Sequence, residues 1–252
     1  MRPSYGLGLI AAAAFAVALV VKLPLSWAAR FLPNTIACSQ PAGSLWNGHC
    51  AALQLRRAAG VPPLLLGDTH WKLQPASLLR AQLALDVQVQ REDAQAAALV
   101  VVGIGGSIVV RGLQADAPLD PTLLPGLPPN WRGRLQVANG QLRVRKGTLA
   151  FVAGVITARD LVAQGPSPTS YGSYELSFTP EPGGPALPVG QLRDLGGPLQ
   201  VDGTLQVTPS MTWELNGHVL ARPEANAQLA RELQYLGSPD AQGRRVFSAS
   251  GE

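Results

Sequence analysis

Residues 134–145 read Arg134-Leu135-Gln136-Val137-Ala138-Asn139-Gly140-Gln141-Leu142-Arg143-Val144-Arg145. Two runs of alternating apolar and polar residues flank an Asn-Gly pair. Both central residues of a type I′ turn need positive φ, so Asn-Gly between such runs predicts a β-hairpin. The same alternation returns in Gly203-Thr204-Leu205-Gln206-Val207-Thr208 and over residues 81–89, where Leu83, Leu85, Val87 and Val89 mark one face. The chain is therefore expected to be mainly β: an antiparallel, curved sheet whose strands each bury one side. G-x-L-Q-V occurs at Gly133 and again at Gly203, but no fixed period connects the copies.

Composition fits this reading. Of 252 residues, 27 are Gly and 22 Pro, which favours many short connected elements over long helices. Charged residues make up 14%, against roughly 25% in an average domain, while 46% are hydrophobic. Apolar residues run along the whole chain, which argues against disorder. The net charge is +4, but Arg2, Lys22 and Arg30 flank the first apolar run, leaving 17 basic residues against 16 acidic ones in the remainder. No basic stripe with interleaved aromatics appears, so nucleic acid is excluded as a partner.

Two apolar stretches bear on the membrane. Residues 5–21, YGLGLIAAAAFAVALVV, carry no charge. Extended to Trp27 as a helix, the stretch covers about 33 Å, enough to cross a hydrocarbon core. The expected organisation is a cytoplasmic stub at 1–4, a transmembrane signal-anchor at 5–27 and an exported body at 28–252. A cleaved signal peptide ending near Ser26-Trp27-Ala28 is the competing reading, and it too exports the body. Residues 94–110, AQAAALVVVGIGGSIVV, are also uncharged. The Gly103, Gly105 and Gly106 cluster at their middle suits two strands and a turn, or one bulged strand covered on both faces, better than a second span. A nucleotide loop is excluded because G-x-G-x-x-G would need Gly where Ile108 stands.

Helix is expected over residues 223–236, with Pro223 at its first position, Leu229, Leu233 and Leu236 on one face and Gly237 as the stop. A shorter turn begins at Pro75. The Pro- and Gly-dense stretch 180–198 reads as a loop or linker that can subdivide the body. In an exported chain the pair Cys38 and Cys50 is expected to form a disulfide, with two free thiols as the alternative. Zinc at these cysteines lacks ligands, because only His49 stands near them.

Residues that carry chemistry are sparse. His49, His70 and His218 are the only histidines, there is no G-x-S-x-G, and no histidine stands three to five residues from another. Neither catalytic residues nor a metal or cofactor site is predicted. What stands out is Gly43-Ser44-Leu45-Trp46-Asn47-Gly48, followed by Trp71-Lys72-Leu73-Gln74-Pro75 and then Leu78-Leu79. Trp at an interface is one reading. Glycine turns around a strand whose Trp caps the core is the simpler one.

With the anchored N-terminus, these blocks and the ending Leu233-Gln234-Tyr235-Leu236-Gly237-Ser238-Pro239-Asp240 … Gly243-Arg244-Arg245, the sequence resembles the protein N family of the bacterial type II secretion system. The resemblance implies a single-pass inner-membrane protein with its N-terminus in the cytoplasm and its body in the periplasm. It would assist export of folded proteins across the outer membrane, without enzymatic activity or cofactor. The implied partners are the inner-membrane platform proteins and the secretin. Gly43, Leu45, Trp46, Gly48, Trp71, Leu73, Pro75, Gly237 and Gly243 are then motif positions with structural roles. The alternative function is lipid handling, in which one apolar sheet face forms a groove.

Overall fold

The computed structural model describes residues 35–56, 63–119, 128–181, 183–185 and 187–251. The anchor expected at residues 5–27 lies outside them. No described helix is long and apolar enough to cross a membrane. The chain divides into two compact units, the first ending at Arg91 and the second beginning at Glu92.

The first unit holds β1 (Ile36–Gly43), β2 (Asn47–Leu55), β3 (Leu64–Leu73) and β4 (Gln82–Gln90), with a 3-10 turn at Pro75–Arg80. Each strand pairs antiparallel with the next. The expected turn at Pro75 is this 3-10 segment, whose proline fits the first turn because no N–H is needed there. Cys38 and Cys50 are disulfide-bonded across β1 and β2, Cα–Cα 5.7 Å. Cys50 is fully buried.

The second unit runs β5 (Gln95–Gly103), β6 (Ser107–Pro118), β7 (Trp131–Arg145), β8 (Thr148–Ala163), β9 (Thr169–Phe178), β10 (Gly190–Asp194), β11 (Leu199–Val207), β12 (Trp213–Ala221), α1 (Ala227–Leu233) and β13 (Arg245–Gly251). Its strands form one antiparallel meander in chain order. The uncharged stretch 94–110 is two strands joined at Ile104-Gly105-Gly106, and both glycines take positive φ. Strand β10 lies within 180–198 and pairs with β9 and β11, so the meander continues through this stretch.

The Asn-Gly hairpin is corrected by the structure. Residues 131–145 are one long strand, β7, and Asn139 and Gly140 sit inside it. Asn139 takes the left-handed conformation (φ 52) and the register with β8 shifts between Ala138 and Gln141, so the pair forms a β-bulge. The turn comes later, at Lys146-Gly147, where both residues have positive φ and Arg145 faces Thr148. Tertiary packing explains the choice. Gly140 is buried, and a Cβ built on Gly154 of β8 would stand 2.8 Å from the Gly140 Cα, so the two backbones meet where no side chain fits.

The helix is shorter than expected. Its N-cap is Asn226, whose side chain accepts a hydrogen bond from the Leu229 N–H (2.7 Å), while Pro223 and Glu224 form a preceding turn. A capping side chain satisfies an orphan amide that a proline start leaves to water. Leu229 and Leu233 pack on Leu199, Val201 and Val219, forming the buried cluster of this unit; Leu236 is exposed.

Candidate functional site

The motif residues of the first unit form one construction around Trp71. Gly48 lies directly opposite Trp71 in the β2–β3 register. A Cβ on Gly48 would stand 2.2 Å from the indole Cζ2, so the ring lies flat over a position only glycine leaves open. The indole Nε1 donates to the Leu45 carbonyl (3.3 Å), and the Leu73 N–H donates to the Trp46 carbonyl (2.7 Å). Gly43 (φ 85) opens the turn, where a Cβ would meet the Asn47 carbonyl at 2.4 Å; Ser44 Oγ accepts from the Asn47 N–H (3.2 Å). Leu73 is buried, and Pro75 starts the 3-10 turn whose Ser77 Oγ accepts from the Ala84 N–H (3.1 Å).

The C-terminal motif builds a second turn. Asp240 Oδ1 accepts from the backbone N–H groups of Gln242 (2.9 Å) and Arg244 (2.8 Å), while Oδ2 accepts from Arg244 Nε (3.0 Å). Gly243 (φ 80) allows the chain to close this loop, and Gly237 (φ 94) ends the 3-10 segment after α1. Aromatic rings also cover glycines elsewhere in the second unit. A Cβ on Gly190 would stand 2.7 Å from Phe178, one on Gly217 2.7 Å from Phe247, and one on Gly251 2.8 Å from Trp213.

Strand register gives the second unit an apolar face. Val100 faces Val110, which faces Leu142, which faces Val152; Val137 likewise faces Ile156, which faces Leu176. These side chains are half-buried, whereas Leu199, Val201 and Val219 beneath α1 are buried. The opposite face carries charge, including the pairs Arg134 with Asp116 and Arg193 with Glu175.

Polar groups anchor the end of this sheet near α1. Tyr171 donates to Glu232 Oε2 (2.9 Å), and Arg222 Nη2 donates to Asp194 Oδ1 (2.6 Å). Burial and then the Glu232 carboxylate push the Tyr171 phenol up to about 12. Burial, followed by the Asp194 charge, raises Tyr174 to about 12 as well. For Asp194, burial pushes the carboxyl up, but hydrogen bonds from Arg222 and from the Val201 and Gly196 N–H groups outweigh it and hold the carboxyl below the usual range.

Spacing along the chain missed one cluster. His49 and His70 face each other across β2 and β3, their rings stacked with centroids 4.5 Å apart. Asp68, two residues before His70, shares its face, and both histidines reach its carboxylate. The signal was Asp68-Thr69-His70 within a strand, which needed the β2–β3 register to become informative.

The sequence profile described as Type II secretion system (T2SS), protein N matches residues 34–248. The chain is 29% identical over 240 residues to the "Type II secretion system protein N" of Aeromonas hydrophila, covering 90% of this chain and 89% of that one. It is 27% identical over 270 residues to the "Type II secretion system protein N" of Vibrio cholerae serotype O1, covering the whole of both. No solved structure matches the chain. With a profile spanning both units and two relatives covered nearly end to end, the chain belongs to the protein N family of the type II secretion system.

Proposed function

We propose that this protein is a non-enzymatic accessory component of the type II secretion system, held in the inner membrane by residues 5–27 and working through protein contacts in the periplasm. The observation that carries the reading is the family match over residues 34–248. The disulfide supports an oxidising compartment for the body. The motif residues Gly43, Leu45, Trp46, Gly48, Trp71, Leu73, Pro75, Gly237 and Gly243 serve as scaffold, fixing turns and ring positions.

Contact is offered by a strand edge. Strand β13 pairs only with β12 among the described residues, which leaves a row of backbone donors and acceptors for another chain. Its Val246 is 60% exposed. The partners are the inner-membrane platform proteins and the secretin. A photo-crosslinking amino acid placed at Val246 in the native bacterium is expected to capture one of these subunits. Absence of any crosslink to the secretion machinery, with the protein correctly localised, would overturn this mode of contact.

A second reading is favoured by the half-buried apolar face from Val100 to Val152. Bulges at Asn139 and its neighbours bend these strands, and a bent apolar face can receive acyl chains. Under that reading phospholipid co-purifies with the protein in stoichiometric amount and a fluorescent fatty acid binds the delipidated form. Failure of both tests leaves the contact reading alone.

A further inference from the structure

From the convergence of His49, Asp68 and His70 we infer that the first unit carries a binding site for a divalent transition metal, Zn2+ being the ion its donors suit. Asp68 Oδ1 lies 2.7 Å from His49 Nε2 and 3.2 Å from His70 Nε2. One donor atom from each residue falls within a cluster no wider than 4.8 Å. Donor atoms bound tetrahedrally at zinc distances of 2.0–2.1 Å stand about 3.3 Å apart. The three side chains therefore need only small rotations to place an ion among them. Two imidazoles and one carboxylate are a ligand set that zinc takes with a fourth position left to water or another group.

The backbone preorganises this set. His49 and His70 are direct cross-strand partners, and Asp68 is two positions along β3 from His70, so all three project from one face without any loop. The side chains are 32%, 48% and 53% exposed for His49, Asp68 and His70, so an ion can enter from solvent. None of the three belongs to the motif built around Trp71. The placement also suggests what the ion does. The β2–β3 register is irregular just beyond Cys50, and the disulfide ties Cys50 to β1. A metal at His49 and His70 ties β2 to β3 one residue away, so that three strands are cross-linked side by side.

The test uses the full-length protein in detergent, stripped with chelator and kept free of reductant so that the disulfide stays closed. Titration with ZnCl2 by calorimetry is expected to show one saturable site per chain. His49→Ala and His70→Ala should each weaken it at least about tenfold, since even groups that merely support ligands cost that much. His218→Ala, in the second unit, should leave the isotherm unchanged. Co2+ in place of Zn2+ should give the visible absorption bands of a four-coordinate ion, and these should vanish in Asp68→Ala. Zn2+ should also raise the melting temperature of the native protein, and by less that of His70→Ala at the same concentration. Circular dichroism of each variant confirms that it is folded. No saturable binding to the native protein, or an unchanged isotherm in the folded His49→Ala/His70→Ala double variant, would overturn the inference.

Discussion

At Gly48 the reason for a residue is a distance: a methyl group there would enter the Trp71 ring. Gly48→Ala is expected to cost about 1–3 kcal/mol in a denaturant melt, the usual cost of overpacking. Gly165→Ala, where a Cβ meets nothing within 4 Å, should be close to neutral. Because the clash involves one pair, Gly48→Ala should cost less in a Trp71→Ala background, and the cycle measures the coupling. Sequence alone placed these glycines and tryptophans among the positions of interest but did not show that the ring lies over the glycine. That relation depends on register, which residue types do not fix.

Asp194 makes a prediction about pH. Its folded carboxyl titrates below the unfolded value of 3.8, so its contribution to stability is present above that value and is lost as pH falls through the folded one. Asp194→Asn should lower stability near neutrality by about 1–3 kcal/mol, because the Arg222 guanidinium and two backbone amides lose a charged acceptor. Below pH 4 its melting temperature should fall less steeply than that of the native protein. On the alkaline side Tyr171 and Tyr174 titrate near 12 instead of 10, so the fold should lose stability as pH rises between these values. Tyr174→Phe should blunt that loss in melts recorded across the range.

Among the elements, α1 carries the most deeply buried hydrophobic side chain described in the second unit. Leu229 is 1% exposed, and Leu229→Ala should cost about 2–5 kcal/mol by thermal or denaturant unfolding. Asn226→Ala removes the cap and should cost about 1 kcal/mol. The helix was legible from Leu229 and Leu233, but its start was not, because Pro223 and Asn226 are both good openings and the chain uses the one with a side-chain acceptor. Many strands were legible from their alternation, and those in the uncharged stretch 94–110 from the Gly103, Gly105 and Gly106 cluster at its middle. Asn139-Gly140 misled because the same positive φ serves a type I′ turn and a bulge, and only the contact with Gly154 on β8 distinguishes them. Cross-strand convergence escaped for a related reason: His49 and His70 become neighbours only once β2 and β3 are paired.

For the whole molecule, the disulfide closes a short loop and should contribute about 2–3 kcal/mol by the chain-entropy estimate. Cys38→Ser/Cys50→Ser is therefore expected to accumulate to a lower level in the cell, read by immunoblot against the native protein. Low charge and one-faced strands fitted a protein-contact scaffold and a lipid-handling groove alike, and only the family resemblance favoured the first. The anchored N-terminus and the blocks at Gly43–Gly48, Trp71–Leu79 and Leu233–Arg245 pointed to the family, and the profile match over residues 34–248 agrees with them. The partner was not legible, since a strand edge reads alike whether it meets protein or solvent.

The proposed role of the protein is to assist export of folded proteins across the outer membrane. The most direct measurement is an in-frame deletion in the native bacterium, complemented from a plasmid, with exported enzymes assayed in culture medium and periplasm alongside detergent sensitivity. Enzymes are expected to be held in the periplasm behind an intact outer membrane and released again on complementation. Normal secretion from the deletion strain would contradict it, and a detergent-sensitive envelope in that strain would point to lipid handling instead.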